Sequence, residues 1–157
     1  MNIPVTHASF SLERRLNAPP SRVFHAFADY ESKKKWFGGP PEWEQGESSL
    51  DFRVGGRETD VGGPVGGFVS TMHAVYHDIV ENERIIYSYE MLLNGERMSV
   101  SLTTVELEPD GDGTLLTLTE QGAFFTGSPE SDGTQVAGRK EGTGELLDAL
   151  QKYVDGN

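Results

Sequence analysis

The sequence predicts an α+β fold: a curved antiparallel sheet wrapped around a long C-terminal helix, with two short helices after the first strand. Three observations predict it. The middle of the chain is a run of short alternating segments separated by Gly-Gly, Asn-Gly and Asp-Gly turns, which makes consecutive strands antiparallel neighbours. Two short helical patterns interrupt the order directly after the first strand. The only long helical pattern comes last, from Thr134 onward. A lone long helix after a meander has one simple resting place, the concave face of the twisted sheet.

The first strand is read from Ala8 to Leu16, where Phe10, Leu12, Arg14 and Leu16 share one face and Ser9, Ser11, Glu13 and Arg15 the other. Asn17-Ala18-Pro19-Pro20 ends it, and proline suits the first turn of the helix that follows. From Ser21 to Asp29, Val23, Phe24, Phe27 and Ala28 fall at helical spacing. A second short helix starts near Asp29 or Ser32, either of which suits a cap, and runs through Lys33-Lys34-Lys35-Trp36-Phe37 to Gly38-Gly39-Pro40-Pro41. Strands are read at Glu42–Ser48, Ser49–Val54 and Arg57–Val61, with Gly55-Gly56 as a tight turn. Longer ones follow at Phe68–Val80, Ile85–Leu93, Arg97–Glu108 and Leu115–Gly122. Phe124 to Gly133 reads as irregular. Val136, Leu146, Leu147, Leu150, Tyr153 and Val154 then mark a helix of about four or five turns, whose first half carries Gly138, Gly142 and Gly144.

At 157 residues the chain has the length of one domain, 1–157, with a core expected over about 8–154. The balance of 13 Lys+Arg against 25 Asp+Glu gives −12, a charge that repels phosphate backbones and anionic lipid. Nucleic acid and membrane surfaces are therefore excluded as expected partners. No segment resembles a targeting signal or a membrane-spanning helix, so a cytoplasmic protein is expected. With no cysteine, disulfides, thiolate zinc sites and thiol nucleophiles are excluded.

The order strand, two short helices, meander and long last helix resembles the helix-grip arrangement of the START-like, Bet v 1-like (SRPBCC) superfamily. Several stretches resemble, in order, the heat-shock protein 90 ATPase-activator homologue family: Arg14-Arg15-Leu16-Asn17-Ala18-Pro19 with Val23-Phe24-His25-Ala26-Phe27 and Asp29; Trp36-Phe37-Gly38; Phe52-Arg53-Val54-Gly55-Gly56-Arg57; Val75 to Val80 with Glu83 to Tyr87; and Thr114 to Glu120. Where that family often carries Gly-Trp in its last helix, this chain has Gly142-Thr143. The resemblance implies a fold with a groove. It leaves activity open, because the superfamily includes lipid carriers, polyketide cyclases, hormone receptors, ring-hydroxylase subunits and co-chaperone domains.

An apolar cavity between sheet and helix is the first candidate site. Ile85, Tyr87, Tyr89 and Met91 form one strand face; Met98, Val100 and Leu102 are read as the next wall. Leu116, Leu118, Leu146 and Leu150 continue it, and Phe24, Phe27, Trp36, Phe52 and Phe124 close the ends. The plain alternative is that these side chains fill a core. A second candidate is a polar group inside the cavity, combining Arg14, Glu120, a histidine such as His73 and the tyrosines, to anchor a ligand or move a proton. The alternative is a structural ion pair or simple exposure. Metal binding by His73 and His77 is disfavoured, since residues four apart on a strand lie about 13 Å apart. No metal or cofactor is expected. Gly62 to Gly67 lacks the Lys-Ser/Thr of a phosphate loop and reads as a lid or a plain hairpin. Lys33-Lys34-Lys35 reads as the wet face of a short helix.

The expected function is binding of a small hydrophobic or aromatic molecule between sheet and helix. One alternative is an enzyme with cyclase- or hydrolase-like acid–base chemistry in the same cavity. Another is a chaperone-partner module, disfavoured because the eukaryotic co-chaperone joins this domain to a further N-terminal domain. A homodimer stays open.

Overall fold

The computed structural model describes residues 4–125 and 132–156. The order of elements is β1 (Val5–Leu16), α1 (Pro20–Ala28), α2 (Tyr30–Lys33), β2 (Glu44–Leu50), β3 (Arg57–Gly63), β4 (Ser70–Val80), β5 (Arg84–Leu93), β6 (Glu96–Asp110), β7 (Gly113–Phe125) and α3 (Asp132–Asp155). All seven strands form one antiparallel sheet in the order β1-β7-β6-β5-β4-β3-β2. This is the expected α+β helix-grip: α3 packs against β1, β7 and α1, and α1 and α2 follow the first strand.

Local chemistry explains the boundaries. Pro19 and Pro20 open α1. Asp29 caps α2, accepting from the Ser32 backbone N–H at 3.0 Å and the Ser32 hydroxyl at 2.9 Å, which holds its carboxyl below the usual range. Asn94 (φ 51°) and Gly95 (φ 83°) make the β5–β6 turn in the left-handed region that an Asn-Gly pair favours.

Three readings of the sequence are corrected. Ser49–Val54 is not a strand. The chain from Asp51 to Gly56 folds into a tight turn, with Gly56 N–H donating to Arg53 C=O at 2.7 Å. A Cβ on Gly56 would lie 2.0 Å from the Asp51 carbonyl, so the turn closes only on glycine. Phe124 and Phe125 belong to β7 rather than to an irregular segment; residues 126–131 lie outside the described residues. The last helix has 24 residues, about two turns more than its apolar pattern suggested.

One end of the fold is filled. Leu16, Val23, Ala26, Phe27, Trp36, Ile85, Val105, Leu116, Leu147, Leu150 and Val154 are buried together. α3 contributes Leu147, Leu150 and Val154 from its second half, so that half is anchored by burial. In the first half, a Cβ on Gly138 or Gly142 would meet nothing within 4 Å. Glycine there is not required for close packing; it loosens the helix. Gly138→Ala and Gly142→Ala are therefore expected to raise stability by about 0.5–1 kcal/mol each. A thermal midpoint unchanged or lowered in both variants would contradict this. No helix among the described residues is long and apolar enough to cross a membrane.

Candidate functional site

The inner face of the sheet carries a row of three tyrosines. Tyr76 and Tyr87 are paired residues of β4 and β5, and Tyr89 follows two positions on. Their rings stand 5.6 Å (Tyr76–Tyr87) and 6.0 Å (Tyr87–Tyr89) apart between centroids. Burial raises the pKa of all three phenols; neighbouring carboxylates or phenols push them up further, and Arg139 partly offsets the rise at Tyr89, so they are neutral hydroxyls at any ordinary pH.

An ion pair holds each end of the row. At the α2 end, Lys33 is 5 % exposed and donates to Glu58 Oε1 at 2.7 Å and to the Tyr76 hydroxyl at 3.2 Å. The Tyr76 hydroxyl in turn donates to Glu58, and the Lys33 ammonium stands 4.4 Å from the centre of the Phe37 ring. At the α3 end, Glu120 is 2 % exposed and accepts from the Tyr89 hydroxyl at 2.9 Å through both oxygens. Arg139 spans the site: Nη1 reaches Glu120 Oε2 at 3.3 Å and the Tyr89 hydroxyl at 3.1 Å, and Nη2 reaches Ser99 Oγ at 2.7 Å. Its guanidinium also lies 5.2 Å from the centre of the Phe124 ring.

Between the two pairs, β6 turns Ser99, Ser101 and Thr103 inward, all buried. Among the described residues, the hydroxyls of Ser101 and Thr103 have no hydrogen-bond partner. Thr103 sits close enough to the Tyr87 hydroxyl to counter its pKa rise slightly, without the geometry of a hydrogen bond.

The expected polar group is thus real in part and differently composed. Tyr89 and Glu120 come together with Arg139. Arg14 instead reaches Asp148 at 2.9 Å and the Gly144 carbonyl at 3.3 Å, tying β1 to α3. His73 is on the outer face, exposed, with Nδ1 3.3 Å from Thr59 Oγ1. His77 is also exposed, beside Ser88 at 2.7 Å, and among the described residues no cluster of His, Asp and Glu could hold a metal.

The expected wall is corrected too. Val100 and Leu102 are 41 % and 40 % exposed on the outer face. Opposite Met91 and Leu92 the register of β6 shifts between Ser99 and Arg97, and the half-buried Met98 is the extra residue of that bulge. The wall on β6 is therefore Ser99-Ser101-Thr103 above Val105 and Leu107. Tyr87, Met91 and Leu146 are half-buried, and Leu118 is buried in the main core. Phe27 and Trp36 meet edge to face at 4.9 Å, Phe24 and Phe52 at 5.6 Å, and Phe52 and Tyr76 at 5.0 Å, which closes the α1–α2 end. Phe124 is buried under Arg139 at the other end. Two surface hollows lie away from this face. One, of about 320 Å³, is at the β2–β3 turn; the other, of about 650 Å³, is on the outer face around Val100 and Leu102.

Sequence reasoning missed Lys33, Glu58 and Arg139. Arg139 had a signal: residues 139, 143, 147, 150 and 154 follow helical spacing, and the last four are the buried residues of α3 among those described. Asp60, on the strand beyond Glu58, has its carboxyl pKa raised by partial burial and then by the Glu58 charge, with Lys33 partly offsetting. A raised carboxyl favours folding below its unfolded value near 4 and loses that contribution as pH rises through the folded value. Asp60→Asn is accordingly expected to stabilise the protein at neutral pH and to gain less as pH falls toward about 4. Urea midpoints across that range test this, and a gain independent of pH would contradict it.

Residues 17–155 match the family described as Activator of Hsp90 ATPase homolog 1-like protein. The Mll3558 protein of Rhizobium loti is 46 % identical over 96 % of this chain and 99 % of its own, with a TM-score of 0.85. A putative uncharacterized protein of Rhizobium leguminosarum is 38 % identical over the whole of both chains, with a TM-score of 0.90. Protein CV1439 of Chromobacterium violaceum is 26 % identical over 94 % of this chain and 96 % of its own, with a TM-score of 0.76. No curated protein matches the chain. The match over most of its length, on the fold expected of that family, means that the chain belongs to the Activator of Hsp90 ATPase homolog 1-like family.

Proposed function

We propose that this chain, acting as one domain, binds a small aromatic or apolar molecule on the inner face of the sheet, against Tyr87 and Tyr89 and beneath the first half of α3. The observation that carries this reading is the tyrosine row. Neutral phenols with apolar bodies lie on a concave sheet, while the backbone of α3 rests on β1, β7 and α1 instead. Over the row, α3 extends the Arg139 side chain from its glycine-rich half. The ligand enters by displacing that half, which little burial holds down.

The enzyme reading has less support. Glu120, the carboxylate that acid–base chemistry in the groove would use, is already held by Tyr89 and Arg139. Native mass spectrometry of protein purified without denaturation tests the binding reading. A bound small molecule that departs on gentle activation is the expected result. A bare mass, together with a crystal whose inner face is filled and dry, would overturn it.

A further inference from the structure

We infer that the ligand is an uncharged molecule with an aromatic body and a hydrogen-bonding head, a carbonyl above all, that bonds to the hydroxyl of Ser101 or of Thr103; this rests on the groove being the binding site.

Among the described residues both hydroxyl oxygens are buried without a hydrogen-bond partner, and a protein interior seldom leaves such groups unsatisfied without a use for them. Two residues apart on β6, they face the same side at about 7 Å spacing along the strand. Across the ladder Thr103 stands opposite Tyr87 and Ser101 opposite Tyr89, so the hydroxyls flank the aromatic row. Beyond Ser101 lies Gly122, where a Cβ would come within 2.8 Å of Ser101 Oγ and 2.9 Å of the Phe124 ring. Any larger residue there would crowd the Ser101 hydroxyl.

Charge sets the class of the head group. Glu120 is matched by Arg139, and Glu58 by Lys33, so each interior cation already has its carboxylate. An anionic head would meet both glutamates, Asp60 and a chain of net charge −12. A cationic head would meet Arg139 or Lys33 at either end of the row. A hydroxyl both donates and accepts, and a carbonyl oxygen needs only donors. A flat ring carrying that carbonyl would lie against the tyrosine faces.

The test uses four probes on one ring system: naphthalene, 2-acetylnaphthalene, 2-naphthoate and 2-(aminomethyl)naphthalene, titrated calorimetrically into the full chain. The ketone is expected to bind about tenfold tighter than each of the others, the worth of one good hydrogen bond. In Ser101→Ala/Thr103→Val its advantage over naphthalene should shrink to about threefold or less. That variant exchanges unsatisfied hydroxyls for apolar groups, so its thermal midpoint should not fall. Naphthoate or the amine binding as tightly as the ketone would overturn the uncharged head and leave the groove as a binding site. So would a ketone advantage that survives the double variant. If none of the four binds, naphthalene included, the groove reading falls as well.

Discussion

Lys33→Ala is expected to destabilise the protein by about 3–5 kcal/mol, the cost of leaving a buried charge without its partner. Glu58 is 5 % exposed, and the Lys33 ammonium at 2.7 Å is its ion-pair partner. With Lys33 gone, Glu58 would keep the Tyr76 hydroxyl but no compensating charge. The pair itself is a weaker stabiliser than its loss suggests, because both charges lose their hydration on burial. Lys33→Met combined with Glu58→Leu should therefore recover most of what Lys33→Ala loses. Denaturant unfolding measures both variants. A loss below about 1 kcal/mol for Lys33→Ala would put the pair in the class of exposed bridges and contradict its burial.

Arg139→Ala should cost less, about 1–3 kcal/mol, since Arg139 stays partly exposed, but its effect should be localised. Arg139 links the first half of α3 to Glu120, Tyr89 and Ser99. Few apolar side chains hold that half, and Gly138 and Gly142 weaken it further. Amide hydrogen exchange is expected to speed up around residues 135–142, while residues 147–154, anchored by Leu147, Leu150 and Val154, change little. Uniform acceleration along the helix would show that Arg139 supports the whole fold rather than the cover of the groove.

The fold was legible in the sequence because turns and periodicity are local signals. Asn94-Gly95 and Gly55-Gly56 marked their turns, and the proline pair marked the start of α1. The site was legible only where phase and docking were local too. On β5 the alternation of Ile85, Tyr87, Tyr89 and Met91 placed the tyrosines correctly on the inner face. On β6 the more apolar pair, Val100 and Leu102, turned outward, Met98 fell in the bulge, and the small polar set turned in. A slip of one residue flips a whole strand, and the phase here is set farther along, by the buried Val105 and Leu107. Lys33 was hidden for another reason. In Lys33-Lys34-Lys35, successive residues of a helix point in different directions, so one faces inward wherever the helix docks. Which one depends on where α2 meets β3 and β4, and no local pattern records that. Arg14 kept its inward phase, but its long side chain reached α3 rather than Glu120.

The central claim is that the tyrosine row on the inner face is where a ligand lies. Fluorine NMR of protein labelled with 3-fluorotyrosine tests it most directly, because the chain has 5 tyrosines and they sample both sides of the question. Tyr87 and Tyr89 belong to the row, whereas Tyr30 bonds to Ser48 beside α2 and Tyr153 lies under Arg22 on the last turn of α3. On titration with 2-acetylnaphthalene, the signals of Tyr87 and Tyr89 are predicted to shift and saturate together, with Tyr30 and Tyr153 unmoved. Saturable shifts at Tyr30 or Tyr153 with Tyr87 and Tyr89 unchanged would contradict the account.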